Sequence, residues 1–165
     1  LSSTTTTPAS ILEGLAARLA CERGVSPPAR NSLVNCLSMG DSLFSKGFLT
    51  DEDMEIYHDF NMQFHNTIIE ASRNIAIEDA LSRHDHLPFA SVSSIAFNRD
   101  DMSGEYRRFN FSHMQHHIFD AIDNGQSART EALMREHANA ALRYTKILSP
   151  SQNMPENFTV IERED

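Results

Sequence analysis

The chain has 165 residues, with 14 Lys+Arg against 23 Asp+Glu, a formal net charge of -9 and eight histidines; this length suits one domain with its own apolar core. The hydrophobic fraction of 40% excludes a disordered chain, and the acid excess without a Lys/Arg cluster excludes a free-standing nucleic-acid binder, because neutralising phosphates needs a concentrated basic face. Two cysteines, Cys21 and Cys36, are too few for a disulfide framework or a thiolate zinc site, so a cytoplasmic protein is expected, and no apolar run approaches the ~18 residues of a membrane span.

Residues 1–8 read as a linker or tail without the charged and apolar regions of a signal peptide, and residues 149–165 as a C-terminal tail. Between them, residues 9–148 carry apolar residues at helical spacing. The first helix shows Ile11, Leu12, Leu15, Leu19 and Ala20 as one stripe and ends at Gly24. Ser26 followed by Pro27 opens the second, which carries Leu33, Leu37, Leu43 and Phe44 and stops at Gly47. Thr50 and Asp53 form a capping box ahead of Ile56, Phe60, Phe64, Ile68 and Ile69. Asn74 breaks that third helix and begins a fourth, with Ile75, Ile77, Ala80 and Leu81, that runs to about Leu87 before Pro88. Residues 88–104 are expected to be loop or irregular helix, because the short run from Ser91 to Phe97 has no partner strand. A fifth helix is predicted from about Gly104 to Ile122, then a turn at Asp123-Asn124-Gly125, then a sixth from Ser127 to about Ile147. The fold class is therefore all-α: an antiparallel bundle of about six helices with a central cavity for a ligand or metal.

The histidines carry the chemical question. His58, His84 and His86 sit beside acidic residues at positions that read as exposed. His65 lies four residues after Asn61 on the face of the third helix that also holds Ile68, so the pair points inward and forms half of a bundle-core metal site. The fifth helix adds His113, Gln115, His116 and His117, and the sixth adds His137 on the face of Met134 and Ala138. Three imidazoles and an oxygen ligand would suit Zn, Ni or Mn; the alternative is a set of core histidines each bonded to a neighbour. No Gly-x-Ser-x-Gly or His-Glu-x-x-His occurs, and the dipeptides His58-Asp59 and His84-Asp85 are too short to signify a phosphohydrolase motif.

Three blocks resemble a known family. Asn61-Met-Gln-Phe-His65-Asn-Thr-Ile-Ile-Glu-Ala-Ser-Arg-Asn74 is similar to the (Asp/Asn)-x-x-Phe-His-x-x-Ile-x-x-Ala-Ser-x-Asn signature of the FCD domain. That domain is the C-terminal effector-binding half of GntR-family transcription regulators of the FadR/VanR type. The segments His113 to Gly125 and Ala128 to Ala138 resemble its Gln-His-x-x-Ile-x-x-Ala-Ile-x-x-Gly and Arg-Ala-x-x-Leu-Met-x-x-His blocks, and Leu12 to Ala20 its opening helix. The closest subgroup is the VanR-like one.

This resemblance implies a homodimeric module that binds a small organic or sugar acid and is not an enzyme. It also implies a divalent metal held by Asn61, His65, His137 and a position in the fifth helix. Counting back 22 residues from His137 reaches Gln115, whereas the Gln-His pair favours His116; imidazole is the better ligand, so His116 is expected to bind metal and Gln115 to face the effector. Asn61 stands where Asp is commoner, which removes a negative charge. The family's first-helix Arg, four residues before the Glu equivalent to Glu13, is Ala9 here, so Arg108 either supplies the cation for an anionic effector or is a surface arginine. Operator DNA would be contacted by a winged helix-turn-helix domain on a segment absent from this chain, in a repressor or an activator. The alternative from another class is a metal-dependent hydrolase with Asp59, Asp85 or Asp120 as general base.

Overall fold

Three helix starts marked in the sequence carry working caps in the computed structural model, which describes residues 7–46, 49–84 and 113–147. Ser26 accepts from the Ala29 amide at 3.3 Å at the start of α2 (Pro27–Phe44). Thr50 and Asp53 exchange bonds of 3.1 and 3.0 Å at the start of α3 (Asp51–Ala71), and Lys46 also donates to Asp53 at 2.6 Å. Asn74 Oδ1 accepts from the amides of Ala76 and Ile77 ahead of α4 (Ile75–His84). Each cap satisfies amides that the first turn leaves without partners. The remaining helices are α1 (Pro8–Arg23), α5 (Met114–Asp123) and α6 (Ser127–Ile147), with no strand among the described residues. The expected end of the fourth helix near Leu87, the 88–104 segment and the first half of the fifth helix lie outside the described residues.

Glycine supplies the reversals at two predicted stops. Gly24 has φ +78° after α1 and Gly125 has φ +67° in the turn between α5 and α6. Arg73 takes φ +49° after α3, which sequence pattern did not announce. Its guanidinium donates to Arg23 O and Gly24 O, while Arg23 donates back to Ser72 O and Arg73 O. The ends of α1 and α3 thus satisfy each other's carbonyls.

The main core joins Ala17 and Ala20 of α1, Leu33, Cys36 and Leu37 of α2, Tyr57, Phe60, Phe64 and Ile68 of α3, Ile118 and Ile122 of α5, and Met134 of α6. A smaller cluster of Ala16, Ile77 and Leu81 seats α4 on α1. The expected stripe on α1 needs correction: Ile11 and Leu15 are exposed, and the buried face is Ser10, Gly14, Ala16, Ala17 and Ala20. Small residues allow α1 to lie close against α6, which large ones would prevent. A Cβ on Gly14 would stand 2.6 Å from Arg135 Cγ and 3.2 Å from Glu131 O. Ile56 and Ile75, also placed in apolar stripes by spacing, are exposed as well.

Candidate functional site

Polar side chains collect inside this apolar bundle, and the helix register explains which. On α3, residues 57, 61 and 65 recur every four positions beside Phe60, Phe64 and Ile68, so Tyr57, Asn61 and His65 share the buried face. On α5, Gln115 stands three residues before Ile118 and seven before Ile122, which are both core residues. On α6, His137 lies between Met134 and Ala138. Asn61, His65, Gln115 and His137 are 2%, 4%, 1% and 0% exposed.

Two contacts organise the cluster. Gln115 Nε2 donates to Asn61 Oδ1 at 2.8 Å, joining α5 to α3. The Tyr57 hydroxyl, whose ionisation burial pushes well above its ordinary value, donates to the same oxygen at 3.4 Å. Beyond this amide bridge the His65 and His137 rings stack, with centroids 5.2 Å apart and planes 17° from parallel. Glu13 of α1 closes the far side, its Oε2 lying 3.2 Å from His65 Nδ1. That separation is within ion-pair reach, but the alignment falls short of a hydrogen bond, and His65 Nε2 also has no hydrogen-bond partner.

Asn61, His65 and His137 therefore come together as expected, and the fourth position is corrected. Gln115 occupies it, while His116 points away from the core, its side chain 45% exposed and its Nε2 at 2.9 and 3.0 Å from the Asp41 carboxylate. One residue along a helix rotates a side chain by about 100°, so Gln115 and His116 cannot both face the core. His58, His113 and His117 are exposed; Arg108, His86 and Asp85 lie outside the described residues. Asp59 and Asp120 are exposed too, Asp120 bonded to Arg129 and Asn124, so neither can serve as a base at the buried cluster.

Sequence reasoning missed Tyr57 and Glu13 as members. Tyr57 was legible in the spacing 57, 61, 65. Glu13 was legible only once Ser10, Gly14 and Ala17, rather than the leucines, were seen to define the inward face of α1.

The FCD domain model matches residues 10–140, most of the chain and every residue of the cluster. The chain belongs to the FCD domain family. FCD domains are the C-terminal effector-binding domains of GntR-family transcription regulators, which gives this FCD domain a ligand-sensing role. No curated protein matches the chain. No described helix is long and apolar enough to cross a membrane.

The expected divalent ion fits this FCD domain poorly. Among the described residues no three His, Cys, Asp or Glu side chains are gathered as a metal site. Asn61 and Gln115 contribute neutral amides, and the Asn61 oxygen is already taken by two donors.

Proposed function

We propose that this FCD domain is the effector-sensing and dimerisation module of a bacterial GntR-family regulator of the VanR-like subgroup. It binds a small organic or sugar acid in the middle of the bundle and passes its occupancy to a winged helix-turn-helix domain outside the described chain. The observation that carries this reading is the convergence of Glu13, Asn61, His65, Gln115 and His137 from four helices on one buried locus. Burying polar groups costs free energy that an apolar core of the same shape would not incur, so their concentration at one place points to a bound molecule.

The imidazoles and amides offer N–H donors to carboxylate and hydroxyl oxygens, and Arg108 is the cation proposed to meet the acid's charge. Binding is not routed through a divalent ion, which the donor set does not fit. The signal to DNA requires that the effector bind one arrangement of the bundle more tightly than another, and a homodimer matches the two-fold symmetry of operators.

A thermal-shift screen of the whole chain against organic acids, sugar acids and their neutral amides tests the reading. An acid should raise the melting temperature while its amide does not, and His65→Ala should abolish the shift. Stabilisation by the neutral compounds alone would overturn the acid assignment and the role of Arg108.

A further inference from the structure

A dication bound in a helical bundle needs several lone pairs aimed at one point, with anionic ligands nearby to offset its charge. The buried cluster has its lone pairs arranged otherwise. Asn61 Oδ1 receives Gln115 Nε2 at 2.8 Å and the Tyr57 hydroxyl at 3.4 Å, so two donors already point at the oxygen that would ligate. A cation beside that oxygen would also face the Gln115 amide hydrogens. Turning Gln115 to present its oxygen would break the bridge inside a site where both partners are at most 2% exposed. Exchanging N and O on both amides at once restores one N–H···O bond between them, so either orientation leaves an amide bridge. Among the described contacts, the Glu13 carboxylate beside the cluster approaches His65 Nδ1, at 3.2 Å, and not the hydrogen-bonded atoms of the amide bridge.

We propose that this FCD domain is metal-independent: the Asn61–Gln115 amide bridge takes the place of a divalent ion, tying α3 to α5 where a metal would otherwise tie them. The bridge supplies the cross-link without charge. The inference rests on the effector-binding reading for its location alone. It predicts that residue identity at two positions decides metal content.

The test is elemental analysis of the whole chain, purified without chelator, incubated with excess Zn²⁺, Ni²⁺ or Mn²⁺, and passed over gel filtration. The wild type should retain well under one ion per chain, and neither these ions nor a chelator should move its melting temperature. The double variant Asn61→Asp with Gln115→His should retain about one ion per chain and gain a metal-dependent rise in melting temperature. About one tightly held ion in the wild type, lost in His65→Ala or in His137→Ala, would overturn the proposal. Should the double variant lose its helical circular dichroism, the wild-type measurement still decides. A double variant that folds and takes up no metal would show that the amides are not what excludes it, and would overturn the proposal. None of these readouts needs an effector, so failure of the ligand screen and failure of this inference are separate results.

Discussion

Gln115 and Asn61 depend on each other for their burial. Replacing Gln115 with Leu keeps the volume but leaves Asn61 Oδ1 with only the Tyr57 hydroxyl at 3.4 Å. A buried acceptor stripped of its main donor costs about 1–3 kcal/mol, which urea denaturation should register as a lower midpoint at unchanged slope. Adding Asn61→Leu removes the orphaned group, so the double variant should lose less than the sum of the two single losses. His116→Ala is the contrasting case. Its partner Asp41 is on the surface, and an exposed pair of this kind should change stability by less than about 0.5 kcal/mol. The difference between adjacent residues was present in the sequence as spacing to Ile118 and Ile122. It was overridden there by ligand chemistry, since imidazole binds metals better than an amide; register, not affinity, decides which side chain reaches the core.

At the scale of the helix, close approach and capping make opposite demands on small changes. Gly14→Ala would gain about 1 kcal/mol of helix propensity but would press its methyl group on Arg135 Cγ and on the Glu131 carbonyl, a backbone atom that cannot swing away. Overpacking of this kind costs about 1–3 kcal/mol, so the net change should be destabilising. Gly40→Ala meets only the Phe60 ring, at 3.5 and 3.6 Å, and should stabilise α2 by about 0.5–1 kcal/mol in the same measurement. The capping box of α3 was legible from Thr50 and Asp53 because caps are local. Its reinforcement by Lys46 and the reciprocal Arg23–Arg73 clamp were not, since each joins segments whose meeting depends on the whole fold.

The Asp53 cap also carries a pH dependence. The hydrogen bond from Lys46, then the Thr50 amide, hold its carboxyl below the ordinary value of 3.8. A depressed folded-state value means the stabilisation is fully present above the unfolded-state value and is lost as pH falls from about 4 through the folded one. The stability difference between wild type and Asp53→Asn, measured by urea titration, should therefore be constant from pH 5 to 7 and shrink below pH 4. A difference that grew on acidification would reverse the assignment.

For the whole molecule, stability and sensing are linked. An effector that binds only the folded bundle, present at a hundred times its dissociation constant, contributes about 2.7 kcal/mol, or roughly 5–10 °C in melting temperature for a domain of this size. The all-α class and the inward placement of Asn61, His65 and His137 were readable from period and block resemblance, because both express the same 3.6-residue repeat. Glu13 was not, because its face of α1 is defined by small residues that hydropathy does not mark. Glu13 and His65 nevertheless meet at 3.2 Å between α1 and α3, so a ligand that engages His65 acts on two helices at once. The ligand-induced shift, taken relative to each variant's own baseline, should vanish in His65→Ala and shrink in Glu13→Gln. It should persist in His116→Ala and in the presence of chelator. Equal shifts in wild type and His65→Ala would place the effector away from the buried cluster.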